Sequence, residues 1–153
     1  MADNNDIIII GSTAKWNLPP TQGELMGTYT GPFEFKTFLT PTQMLEAGRE
    51  YRSLLGAFPE YASDKEKELA FALVQLRYRI IKAPPFWTST LSESGYAGNV
   101  PDTNIIMTVY VKAIVAESMF QEKINKESET LLERTIKSAE ALVDVKNKQG
   151  QEE

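Results

Sequence analysis

The sequence contains no cysteine and no histidine. Without cysteine there is no disulfide framework, no thiolate zinc site and no cysteine nucleophile. Such a chain suits a reducing compartment. Without histidine, the commonest general base and the commonest transition-metal ligand are both missing. Ser-His-Asp, Cys-His and HExxH chemistries are therefore excluded. Oxygen-only sites for calcium or magnesium survive that cut, but no Asp-rich loop has EF-hand spacing. Basic residues are also in the minority. Sixteen Lys and Arg face twenty-one Asp and Glu, for a net charge of -5. That balance works against non-specific binding to nucleic acid or anionic lipid. Long apolar runs are absent too. The longest β-branched run is Ile7 to Ile10, preceded by an acidic rather than a basic stretch, so neither a secretory signal nor a membrane-spanning helix is expected.

What remains is the composition of an ordinary folded protein: 153 residues, 42% hydrophobic and 24% charged, enough for one domain with its own core. Ile7 to Ile10 suit a short strand. Residues 11–31 hold four glycines and the pair Pro19-Pro20, and read as an extended arm. Trp16 lies inside it, either pinning the arm to its own core or docking with the isoleucines on a neighbouring subunit. "FEFKTFL", Phe33 to Leu39, alternates like a half-buried strand. A first helix follows "TPTQ", where Thr40 caps, Pro41 opens the first turn and Gln43 completes a capping box. Its expected stripe is Met44, Leu45, Gly48, Tyr51, Leu54 and Leu55, with Gly56 as the stop. A second helix is capped by Ser63, carries Leu69, Leu73, Leu76 and Ile80 on one face, and ends before Pro84-Pro85. A third starts at Pro101-Asp102, with Asp102 as N-cap. Its apolar face is broad to Ile124 and then narrows through Leu131, Leu132, Ile136, Ala139, Leu142 and Val143. It either continues or breaks near "INKES". Continuous over 102–146, it would extend about 66 Å at 1.5 Å per residue. The last residues, "KNKQGQEE", read as a disordered tail.

These elements predict a mainly α fold: three to four helices with a small β element, a hairpin or partner-paired strands, near the N-terminus. The expected divisions are an arm over 1–32, a helical core over 33–125, and a charged helix and tail over 126–153.

Little in the chain points to catalysis. Glu46 with Glu50, and Glu129 with Glu133, are carboxylate pairs at helical spacing, but a di-metal site built on such pairs also uses histidine. They read as solvated faces. Arg77, Arg79 and Lys82 complement the helix dipole. Gly23, Gly27 and Gly31 lack the context of a phosphate loop and read as turn glycines. "APPFW" is more informative. Two prolines fix the chain direction and set Phe86 and Trp87 against whatever lies past the helix end, as a hydrophobic plug or as an exposed anchor.

The order of motifs is strand "FEFKTFL", helix after "TPTQ", helix ending "LVQLRYRIIKAPPFW", loop, then "PDTNIIMTVYVKAIVAESMF". Over residues 33–120 it resembles tailed-bacteriophage tail assembly chaperones and related small virion-assembly proteins. The resemblance implies a non-enzymatic role in the cytoplasm of the infected host: binding a phage structural protein, such as the tape measure or tube protein, until assembly. A structural component of the virion, a head, neck or tail accessory protein with arms on its neighbours, is the alternative. An enzyme using carboxylates and a divalent metal is a distant third. The expected partners are phage structural proteins and further copies of the chain, with no nucleic acid, membrane or cofactor. The expected docking residues are Ile7, Ile8, Ile9, Ile10, Trp16, Phe86 and Trp87.

Overall fold

The computed structural model describes residues 6–97 and 99–151, with side chains through 147. The chain divides into two compact units, Met1–Ser118 and Met119–Glu153. The first is built on a four-stranded antiparallel sheet in the order β1-β2-β3-β4. The strands are β1 (Ile7–Ile10), β2 (Thr13–Gln22), β3 (Thr28–Lys36) and β4 (Ile80–Lys82). The helices are α1 (Pro41–Leu55), α2 (Asp64–Arg79), the single turn α3 (Pro85–Thr88) and α4 (Thr103–Gln151).

This corrects the expectation of a mainly α fold with a minor β element. The sheet organises the core of the first unit, and the arm expected over 1–32 is part of that sheet. In β2, Ala14, Trp16 and Leu18 are buried while Lys15 and Asn17 are exposed, the period-two signature of a strand with one wet face. Pro19 and Pro20 do not break it, because they fall where the β2–β3 register shifts between Leu18 and Thr21. A residue without an N–H is tolerated where no ladder bond is required. On the inner face, Trp16 pairs with Phe33 and Ala14 with Phe35 across the strands. The Trp16 and Phe33 ring centroids are 5.8 Å apart, and those of Phe33 and Phe35 are 5.9 Å apart. Burying each of these side chains contributes roughly 1.5–3 kcal/mol.

The caps of α1 and α2 are as expected. Thr40 and Gln43 form a reciprocal capping box, and the Ser63 hydroxyl accepts from the Glu66 N–H. The buried face of α1 is not the expected one. Ala47 is buried while Met44, Leu45 and Leu54 face solvent, so the stripe is centred one position round. α2 ends at Arg79 and runs without a connecting residue into β4, so Ile80 caps the helix and opens the strand. The β-branched pair Ile80-Ile81 favours that extended conformation, and Pro84 biases Ala83 toward it.

The start of α4 supplies Ile105, Ile106, Val109, Ala113 and Ala116 to the core. No spanning helix was expected, yet by length and composition α4 is long and apolar enough to cross a membrane. Those five residues are nonetheless buried within the first unit. Two ionic links join elements there. Lys112 of α4 is buried, pairs with Asp6 at 3.1 Å and lies over the Trp16 ring. Arg79 of α2, also buried, pairs with Glu117 at 2.8 Å. α4 is one helix with no break near "INKES", and it takes in most of the expected C-terminal tail, through Gln151.

Asp102 has more work than an N-cap. Its carbonyl accepts the Ile105 N–H, but its carboxylate points at the β2–β3 hairpin. There it accepts from the Leu25 and Met26 N–H groups and, at 2.7 Å, from the Tyr29 hydroxyl. Burial pushes the carboxyl upward, and these hydrogen bonds outweigh it, holding Asp102 below the usual carboxylate range. Gly23 and Gly31 are not simply turn residues. A Cβ on Gly23 would collide with the Asp102 carboxylate, and one on Gly31, at φ +147°, with the Pro84 ring.

Candidate functional site: a groove along the sheet edge

Among the described residues β4 pairs with β3 alone, so its other side is an open sheet edge. A groove of about 470 Å³ lies there, lined by Leu76 and Arg77 of α2, residues 80–83, Trp87 and Thr88 of α3, and Leu91 and Gly95 of the following loop. Successive residues of a strand point to opposite faces. A hollow on one face would meet alternate residues, whereas this one meets four in a row. It therefore follows the backbone edge of β4. Leu76, Ile80, Ala83, Trp87 and Leu91 make it apolar, and Arg77 and Lys82 add positive charge.

One wall is braced by a polar cluster. Glu50 of α1 accepts from Tyr96 at 2.6 Å, Tyr78 at 2.7 Å and Arg77 at 2.8 Å. The Arg77 guanidinium also lies 5.1 Å from the centre of the Tyr96 ring. The cluster ties α1, α2 and the 89–100 loop together, so the Arg77 wall is held in place. Burial pushes the Glu50 carboxyl upward, but the Tyr96 and Tyr78 hydroxyls and the Arg77 charge outweigh it and hold it below its ordinary value. Burial, and then the hydrogen bond to Glu50, push the Tyr78 phenol up to about 12.

These directions fix an acid response. Asp6 is also held low: burial raises it, and the bonds from Lys112 and Trp16 more than offset that. A carboxyl with a depressed folded pKa stabilises above its unfolded value, and that contribution is lost as pH falls through the folded value. With unfolded values near 3.8 for Asp6 and Asp102 and 4.5 for Glu50, stability contributed by the three is complete near neutrality and drains below about pH 4. Urea midpoints measured from pH 7 to pH 2 should fall mainly below pH 4. A midpoint that stays flat down to pH 2 would contradict these assignments.

The expected docking residues are not gathered in one place. Trp16 is 2% exposed and donates its indole N–H to Asp6; Trp87 is 4% exposed. Both are core side chains, which corrects the reading of either as an exposed anchor. Trp87 packs edge-on against Phe33 with ring centroids 5.6 Å apart, and it floors the groove. Phe86 is half-buried against Tyr29 and Phe33. In β1, Ile7 is buried, Ile9 is half-buried, and Ile8 and Ile10 project from the wet face. Sequence reasoning missed the edge itself: Arg77, Ile80, Ile81, Lys82 and Leu91. Its one legible signal was the β-branched pair Ile80-Ile81, separated from the prolines by Lys82 and Ala83. The Glu50 cluster carried no local signal, since Arg77 lies 27 residues away and Tyr96 lies 46.

Among the described residues, no group of three or more Asp or Glu is placed to hold a metal ion. No family profile, curated protein or solved structure matches the chain.

Proposed function

We propose that this protein is a non-enzymatic bacteriophage assembly protein, a tail assembly chaperone that holds an extended segment of a phage structural protein along β4. The observation that carries this reading is the groove. An open strand edge offers backbone hydrogen bonds to an added strand, and pockets beside it select side chains. Here the pockets are apolar and Lys82 stands at the rim, which suits a segment with alternating apolar residues and an acidic group. The resemblance over 33–120 to tail assembly chaperones supports the phage context. The cytoplasm of the infected host is then the place of action, and neither cofactor nor nucleic acid takes part.

A second reading, a structural component of the virion, is favoured by one observation. The C-terminal half of α4 exposes Leu131, Leu132, Ile136, Leu142 and Val143, apolar surface that packing in a particle would cover.

A photocrosslinking residue at Ile81, 42% exposed on the free edge, separates these readings in producing cells. The chaperone reading expects one dominant adduct with a phage structural protein, and expects peptides of this chain to be missing from purified particles. Abundant peptides in particles would transfer the assignment to the structural reading. Absence of any adduct from Ile81, with adducts from Ile10 on β1 at the other edge of the sheet, would remove the groove from the function.

A further inference from the structure

The outer face of the sheet holds a second hollow, of about 550 Å³, separate from the groove. The strand register places its floor. Ile8, Lys15, Glu34 and Lys82 stand directly opposite one another on the four strands, so they form one row across the face. Asn17 and Pro32 form the next row. All six residues line the hollow; Glu34 is half-buried and the others are exposed. One solvated face is ordinary for an antiparallel sheet. Two features set this one apart.

The first is its charge. Lys36 lies two residues beyond Glu34 on β3 and shares its face. Three lysines therefore stand against one glutamate, in a chain whose net charge is -5. Asp6 also borders the hollow, but its carboxylate is taken by the Lys112 ammonium and the Trp16 indole N–H. Among the described residues, no ion pair joins Glu34 to Lys15 or to Lys82. Both ammonium groups are open to a ligand. The second feature is position. The groove along β4 and this hollow share Lys82 and Ala83, so they meet at the end of β4. A chain leaving the groove past Lys82 enters the hollow directly.

We infer that the segment held along β4 continues past Lys82 onto the outer face of the sheet, and that the stretch crossing this face is extended and acidic. The inference rests on the reading of β4 as the edge that holds the segment. β4 alone offers three residues, about 10 Å of strand. The row from Lys82 to Ile8 crosses the spacing between four strands, about 14 Å, which about four further residues of extended chain would cover. The row also defines what it accepts. An acidic group fits over Lys82 and another about 10 Å on, over Lys15. Glu34 disfavours an acid between them, and Ile8 receives an apolar side chain. The rest of a net-negative molecule repels such a segment, so the face selects it by position as well as by contact.

Photocrosslinking residues at Asn17 and at Ile81, placed one at a time in the full chain in producing cells, test this path. The expected result is capture of one phage structural protein from both positions. The two cross-linked peptides should lie within about eight residues of each other in its sequence, and the one joined to Asn17 should contain aspartate or glutamate. Lys15→Gln should lower the Asn17 adduct at least about threefold, the scale of an exposed charge contact, and Lys15→Arg should preserve it. Glutamine is the informative replacement, because a glutamate there would face Glu34 and weaken the sheet itself. The inference is overturned if Ile81 captures the protein and Asn17 does not. It is also overturned if the Asn17 peptide lies elsewhere in the partner, if that peptide has no acidic residue, or if Lys15→Gln leaves its yield unchanged. Capture of nucleic acid or of a second copy of this chain at Asn17 would refute it as well. In each of these cases the Ile81 adduct still supports the groove. If Ile81 captures nothing, the groove reading and the path that leaves it fall together.

Discussion

Truncating Trp87 to alanine should cost about 3–5 kcal/mol of folding stability, the range for removing a large aromatic from a packed core. The ring is buried among Phe33 and Phe86 and supports the floor of the groove. The same substitution should weaken capture of an extended segment, because the pocket beneath β4 loses its base. Urea denaturation measures the first effect. Competition with the Ile81 photocrosslink, at a temperature where the variant remains folded, measures the second. Trp87→Phe keeps an aromatic in the pocket and should restore most of the stability. A melting temperature unmoved by Trp87→Ala would mean that the ring is not part of the core.

Asp102→Asn should lower the melting temperature by more than roughly 5 °C. One buried carboxylate holds two backbone N–H groups and a phenol, and a neutral amide cannot accept from all three as well. The effect has a local signature. Tyr29 is held above its ordinary pKa first by its hydrogen bond to Asp102, then by burial. In the variant its titration should move back down, and the Leu25 and Met26 amides should lose exchange protection. If Tyr29 titrates as before and those amides stay protected, Asp102 is not the clasp of the hairpin.

The hairpin also shows where sequence reading stopped. Helix starts were legible because a cap is a local event: Thr40 and Gln43 lie within one turn, as do Ser63 and Glu66. Asp102 was legible as a helix start but not as a clasp, since its partners lie more than seventy residues away. β2 was hidden by composition. Its two prolines, and the flanking Gly11 and Gly23, read as a loop, although Ala14, Trp16 and Leu18 alternate with Lys15 and Asn17 as a strand does. β4 was hidden by continuity, because Leu76 and Ile80 share one helical face and nothing local marks the change of backbone between them. The groove depends on β4, on Trp87 and on a cluster assembled from three distant segments, and so it could not be read before the fold was known. The apolar stripe of the second unit was legible throughout, because on a single helix spacing alone decides what shares a face.

The direct junction of α2 with β4 has a mechanical consequence. With no residues of slack between Arg79 and Ile80, the phase of the helix and the register of the strand are one variable. A one-residue slip of β4 against β3 would turn every strand side chain to the opposite face. It would also rotate the end of α2 by about 100°, since the helix advances 3.6 residues per turn. Arg77 would swing away from Glu50 and Arg79 away from Glu117. The two ion pairs therefore act as a ratchet pawl on the sheet: they hold the edge strand in one register while its outer side carries no strand among the described residues.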